Sequence, residues 1–400
     1  MFVKFLKPKS LVLWLFSAGL FVLPLVFWPK AAISYEIPKV WFFQRWVEFL
    51  GILGVLEIWA GVKKIGQGKS FLIFLVALFI LVISLSSLLG IDFGKSLLGN
   101  YYRQDGLLTL FHFAIFFYFL ILFWEDDWQL PAVKSLVLGN FFASLWVIIS
   151  GIRFHLFKDL TVYHFGGALG GTFGQPNFLA GYLLVSLPFT SFLIEESKLL
   201  MKKFWWLVLS SEIMAIFLTL SRAGAVGIVI FAAGWILLKS RKGRKLGWLG
   251  LLGILVVLLS GTFWVLVSSG GEWAPESRTR IFNRAVFAWS RKPILGWGWA
   301  NFDYAYESVK WPSNLVNDVY VDKAHSLLLE FLVTTGLVGL AIYLSIMILV
   351  FKQLAAIEDD LWRRTLIVAF SLLIWHSQTN VISINEEMLF WLILGIVAAG

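Results

Sequence analysis

The chain has 400 residues, 59% of them hydrophobic and only 14% charged. Soluble domains average about 45–50% apolar and about 25% charged residues, so this chain cannot cover its surface in water and its solvent is lipid. Its net charge of +9 lies mostly in short loops rather than in a basic stripe interleaved with aromatics, which argues against nucleic acid; zero cysteines exclude disulfides, thiolate zinc sites and cysteine nucleophiles.

A membrane span needs ~20 apolar residues. Apolar runs fall at 11–28, 46–62, 71–90, 106–124, 132–151, 177–194, 204–220, 224–238, 247–269, 326–351, 362–376 and 386–400. The sequence therefore predicts an all-α, polytopic membrane protein with about 12 transmembrane helices, a single membrane domain over 1–400. The first run follows MFVKFLKPKS, is long for the apolar core of a signal peptide, and reads as an uncleaved helix. Gly336 and Gly339 offer a point at which 326–351 divides into two shorter pieces. The chain stops in apolar sequence at Ala398-Ala399-Gly400, which leaves room for a further C-terminal domain.

With the N-terminus in the cytoplasm, 18 Lys and Arg fall on that side and 8 in short loops on the other, the bias expected of cytoplasmic loops. KSRKGRK at 239–245 is the strongest anchor. The same alternation puts 270–324, the longest hydrophilic stretch, outside as a long exterior loop; loops of that length usually carry function.

Taken in chain order, the first acidic triplet is Glu125-Asp126-Asp127, echoed by Glu358-Asp359-Asp360. Both fall in cytoplasmic loops and read as solvated acids rather than a metal site. GGALGGTFGQPNFLAGY at 166–182 lacks the Gly-Lys-Ser/Thr of a phosphate-cradling loop; its Pro176 predicts a tight start to the next helix. Arg222, in LTLSRAGAVG, would cost at least ~2.5 kcal/mol unpaired at mid-membrane. It either snorkels to the exterior surface or grips an anion, and a lipid-linked phosphate is the anion natural at that depth. Within the long loop, SRTRIFNRAVFAWSRKP reads as an amphipathic helix. Ile281, Phe282, Ala285, Val286 and Trp289 form one face, with Arg278, Arg284 and Arg291 away from it, suited to resting on headgroups or to gripping substrate.

His325 opens the next apolar run in DKAHSLLLE. At the first turn of a transmembrane helix the positive end of the macrodipole disfavours imidazolium, and neutral imidazole is what a general base needs. The plainer reading is an interfacial histidine with an ordinary hydrogen bond. Asp322, three residues earlier, either orients the ring or caps the helix.

Four stretches in order, with a fifth before them, resemble the O-antigen ligase and polymerase superfamily of bacterial membrane glycan transferases. GTFGQPNFLAGYL at 171–183 is similar to its Gly-Thr-Phe-Gly-Asn-Pro-Asn-Phe segment, with Gln175 where Asn is commoner. SRAG at 221–224 matches its Ser-Arg-Gly/Ala turn, and SRTRIFNRAVFAWSRKPILGWGWANF at 277–302 resembles its Arg, aromatic, Pro-Leu-Leu-Gly-x-Gly, Asn-Phe pattern. AHSLLLEFLVTTGLVGL at 324–340 resembles its Ala-His-Asn, Leu-Glu, Gly-Leu-Gly-Leu segment, and GNYYRQDGLLT at 99–109 resembles a subset of the family. Ser326 departs from the usual Asn after the histidine, and Phe282 from a common Trp.

The resemblance implies transfer of a glycan from undecaprenyl diphosphate to an acceptor hydroxyl on a lipid A core, a polysaccharide or a protein. The place implied is the exterior face of the bacterial cytoplasmic membrane. It implies His325 as general base and Arg222 and Arg278 as essential arginines, with Arg280 the rival of Arg278. Asn177, Gly296, Gly298 and Asn301 fall in the matched motifs and are the implied donor-binding residues. A diphosphate leaves easily and arginines can stabilise its developing charge, so no metal or cofactor is expected. The implied partners are the lipid-linked donor, the acceptor and membrane lipids, and direct displacement would invert the anomeric carbon. The alternatives are a polymerase of the same superfamily and a transporter or flippase of lipid-linked intermediates. Transport would favour charges buried in several helices, whereas the candidates here cluster on one face.

Overall fold

Prolines, caps and short polar turns cut the apolar sequence into helices. The computed structural model describes residues 8–31, 33–59, 70–159, 161–239, 278–309 and 320–400. Among them are fourteen α-helices and no β-strand. In chain order these are α1 (Pro8–Val22), α2 (Glu36–Trp59), α3 (Ser70–Leu88), α4 (Phe93–Leu98), α5 (Leu107–Phe123), α6 (Asp126–His155) and α7 (Pro176–Glu196). There follow α8 (Leu199–Leu218), α9 (Arg222–Lys239), α10 (Arg278–Arg291), α11 (Phe302–Ser308), α12 (Leu327–Ala355), α13 (Asp360–Thr379) and α14 (Ile384–Ala399). The apolar run at 247–269 and the basic run after Lys239 lie outside the described residues.

Among the described residues, five helices are long and apolar enough to cross a membrane: α3, α6, α7, α9 and α12. Trp14, Ile52, Val55, Phe74, Val229 and Ile348 are exposed on their helices. Apolar surface of this kind needs lipid against it. The chain is a polytopic helical membrane protein.

Pro176 sits at the start of α7, as expected, because a first-turn residue has no intrahelical use for its N–H. This helix is the hub. It packs against α6, α8, α9 and α13, and almost all of it is buried. The acidic triplets serve helix starts: Asp126 and Asp127 lie in the first turn of α6, and Asp359 accepts the Trp362 N–H at the head of α13.

The break expected in the 326–351 run is real. Gly336 of α12 has φ +67, and the freed backbone is satisfied by the segment after α10. Trp297 and Gly298 donate to Val333 and Thr334 carbonyls at 3.0 and 2.9 Å, and Leu337 donates to Pro293 at 2.9 Å. Ser86 of α3 lies 2.5 and 2.7 Å from the Leu295 and Thr334 carbonyls. A broken helix is tolerated at membrane depth when protein covers the break.

The amphipathic helix α10 buries Ile281, Phe282 and Ala285, but against Phe302, Tyr306 and Val333 rather than headgroups. Arg284, expected on the far side, is also buried: its Nη2 donates to the Tyr306 carbonyl at 2.9 Å and its guanidinium lies 3.8 Å from the Tyr306 ring centre. Helix α11 covers that side of α10, and cation–π contact makes the burial tolerable.

Connections gather at two ends of the bundle. At one, Thr172 donates to Pro24, Leu169 to Leu218, Ile384 to Glu36, and Ile91 to Trp297. At the other, Glu195 binds Arg364 at 2.6 Å and Lys239 at 3.5 Å.

Candidate active site

The first of these ends holds a partly open cleft. Arg103 and Asp105 come from the turn before α5, Trp299 from the segment docked on α12, and Lys323 and His325 from the approach to α12. Asn380 and Glu387 come from the α13–α14 corner.

His325 stands two residues before Leu327, outside the helix, with φ +53. Strain of that kind persists only where neighbours enforce it. Here Glu330 accepts the Ala324 N–H at 2.9 Å and binds Lys323 at 3.3 Å, folding the chain back onto α12. On the other side Gln378 accepts from the Ser326 hydroxyl at 3.0 Å and the Leu328 N–H at 3.3 Å. Gln378 thus caps α12. Asp322 does not; its carboxylate accepts from Arg103 Nε at 2.6 Å.

The neutrality expected of His325 arises differently from the sequence argument. Burial is the main cause, and the Arg278 and Arg103 charges add to it, together outweighing Asp322 and pushing the ring down to about 4. The residue lies beyond the first helical turn, where the dipole was expected to act. Its ring makes no hydrogen bond to the described residues and lines the cleft.

Around it most charges are paired, the Glu387 carboxyl being without a hydrogen bond or ion pair to the described residues. Lys323 binds Asp105 at 2.5 Å and lies 5.4 Å from the Trp299 ring centre. Burial favours the neutral forms, but Lys323 and Arg103 outweigh it and hold the Asp105 carboxyl below its ordinary range. Burial likewise lowers Lys323, yet Asp105 and Glu330 hold it well above the usual lysine value. Removing one partner of such a group would strand a buried charge at a cost of about 3–5 kcal/mol.

Arg278, exposed at the head of α10, is outside the cleft lining and meets it through Asn380, to whose Oδ1 its Nη2 donates at 3.2 Å. Its rival Arg280 is buried within α10 and outside the cleft lining. Arg222 is exposed as the first residue of α9. Ser221 accepts the Gly224 N–H at 3.3 Å, and Trp375 of α13 donates to Ala223 at 3.2 Å. These bonds fix the SRAG turn at the cleft end without bringing Arg222 into the lining. Asn177 is half-buried on α7, and its neighbour Phe178 lies beneath Arg103, 5.4 Å from ring centre to guanidinium. Gly296, Gly298 and Asn301 also stand outside the lining. A Cβ on Gly296 would come 2.5 Å from the Thr334 backbone, and the Asn301 amide is spent on Asp92, Ser96 and Trp297.

Arg103, Asp105, Lys323, Asn380 and Glu387 were not singled out from the sequence. The 99–109 stretch that carries the first two was matched only as a motif, and the α13–α14 corner gave no motif.

Residues 206–344 match the family model described as O-antigen ligase. The matched segment runs from α8 through the SRAG turn, Arg278 and His325 to the break in α12. The resemblance to the O-antigen ligase superfamily therefore holds over that segment, and it supports ligation or polymerisation of lipid-linked glycans in broad terms. No curated protein matches the chain.

Proposed function

We propose that the cleft transfers a saccharide from undecaprenyl diphosphate to an acceptor hydroxyl, in the manner of an O-antigen ligase. The observation that carries this reading is a largely buried, neutral imidazole with no hydrogen bond to the described residues, set near guanidinium groups in a cleft at one end of a membrane bundle. The acceptor oxygen attacks the anomeric carbon while His325 takes its proton. The bond between that carbon and the diphosphate oxygen breaks, undecaprenyl diphosphate leaves, and the configuration inverts. Arg278 and Arg222 stabilise the charge that grows on the diphosphate, Arg222 by turning inward when the donor binds. Arg103 serves by keeping Asp322 occupied and the field at His325 positive. Asn177, Gly296, Gly298 and Asn301 act behind this set, by holding the backbone that surrounds the donor.

The residue types favour electrostatic stabilisation by arginine over a metal, since three of the four carboxylates that line the cleft, Asp105, Glu330 and Glu36, are engaged with Lys323 or backbone N–H groups, which leaves Glu387 alone to offer a ligand. We place the cleft on the exterior face of the bacterial cytoplasmic membrane. The decisive experiment incubates purified protein with a lipid-linked oligosaccharide and a panel of acceptors. Stoichiometric formation of glycosylated acceptor and undecaprenyl diphosphate is expected, and it should survive a chelator. Movement of intact donor across vesicles without its cleavage would favour a flippase, and product chains built only on further donor would favour a polymerase.

A further inference from the structure

Behind Asn380 a polar chain runs into the bundle. His376 of α13 and Glu386 of α14 are both 0% exposed, with Nδ1 and Oε1 2.6 Å apart. Ionisable groups are costly at such a position and are seldom kept for packing alone. Glu386 is itself fixed, since the Ser383 N–H and hydroxyl donate to its Oε2 at 3.0 and 3.1 Å. Helix α7 is cut away to admit the pair. A Cβ on Gly181 would come 2.2 Å from the His376 ring and 2.3 Å from Glu386 Oε1.

The hydrogen bonds have a direction. A carboxylate only accepts, so His376 carries its proton on Nδ1 and presents a lone pair at Nε2. Asn380 Nδ2 stands 3.2 Å from that nitrogen and donates to it. The amide is thereby turned so that Oδ1 accepts from Arg278 Nη2. With the ring proton on Nε2 instead, Asn380 would rotate, and its NH₂ would confront the guanidinium with donor against donor.

We propose that Ser383, Glu386, His376 and Asn380 form a positioning relay that holds Arg278 against the cleft by dictating which way the Asn380 amide faces. None of the four touches substrate in this scheme. The inference rests on the reading of Arg278 as a diphosphate-binding residue.

Glu386→Gln tests the direction of the relay at constant shape. The Ser383 N–H keeps the new amide oxygen at Oε2, so the amide NH₂ faces Nδ1 and drives the ring proton to Nε2. The readout is the affinity of folded, monodisperse protein for undecaprenyl diphosphate in detergent, measured in a double-mutant cycle with Arg278→Ala. Each single variant should bind about tenfold more weakly, the size of one charge-assisted hydrogen bond. The double variant should bind no more weakly than Arg278→Ala alone, because the relay acts only through that arginine. A helix staple without this role would cost the same factor in both backgrounds. Asn380→Ala removes the last link while leaving the His376–Glu386 pair intact, and it should show the same coupling should Glu386→Gln not fold. Losses that multiply, or wild-type affinity in Glu386→Gln and Asn380→Ala, would overturn the relay and spare the site. Wild-type affinity in Arg278→Ala, or no binding by the wild type, would overturn both.

Discussion

Burial and two nearby guanidinium groups hold the His325 imidazole at about 4, so it is unprotonated at neutral pH. General-base help is worth about 10²–10⁴ in rate. His325→Ala should lower turnover per folded molecule by that factor while leaving affinity for undecaprenyl diphosphate nearly unchanged; normal turnover would put the base elsewhere. The pH profile follows from the sign of the shift. A base works deprotonated, so kcat/KM should fall only as pH drops through the lowered free-enzyme value, well below the ordinary histidine value of about 6.5. Arg278→Gln removes a charge that lowers the ring, so the acid limb should move up in pH; a limb that stays in place would uncouple the two residues. Arg222 was singled out because a charge in apolar sequence demands a partner and His325 because it opens an apolar run, whereas Arg278, in a hydrophilic stretch, came only from the resemblance. Arg103 was not singled out, since it lies in a polar loop and its partner Asp322 is 219 positions away. His376 was missed although it ends an apolar run, because its partner Glu386, ten positions on, belongs to the next helix and the pairing appears only when the two helices pack.

At the scale of elements, hydropathy located helices but misplaced their ends. The run at 46–62 belongs to a helix that already begins at Glu36, because Glu36, Lys39 and Gln44 face inward and find partners there. A sliding apolar window cannot see polar residues that are satisfied inside. Helix α12 shows the reverse, an apolar stretch that is one run in sequence and two pieces in space. Its glycine is needed at the break: at φ +67 a Cβ on Gly336 would lie 2.1 Å from the Ile294 carbonyl oxygen. Left-handed backbone costs a non-glycine residue about 1–3 kcal/mol before any clash. Gly336→Ala should therefore lower the Tm by several degrees and reduce turnover, since the Pro293–Gly298 segment docks there beside Trp299 of the cleft. Gly234→Ala is the control, for its Cβ would meet only Val368 at 3.5 Å and should leave both quantities unchanged. Equal behaviour of the two variants would show that the break does not depend on glycine.

For the molecule as a whole, the remaining question is which end faces which side. The 18-to-8 distribution of basic residues was read without knowing which loops share an end. In the structure the turn between α7 and α8, carrying Lys198, lies with Glu195 and Arg364, opposite the cleft. The connection from α6 to α7 lies with the cleft, through Thr172 and Leu169. Lys202, Lys203, Lys239, Lys352 and Arg363 belong to helix ends near the first group, so the short connections at the end without the site carry these basic residues, while Arg103, Arg278 and Lys323 belong to the site end. Short cytoplasmic loops favour positive residues, so the proposed function expects the cleft outside, where an exported saccharide and its acceptor would meet. The chain has no cysteine, so single cysteines report without background. Phe157, in the connection after α6, and Leu199, the first residue of α8, are exposed at opposite ends. In intact cells an impermeant thiol reagent should label Phe157→Cys, and Leu199→Cys only after permeabilisation. The reverse pattern would invert the molecule, and with it the argument that the saccharide is transferred after export.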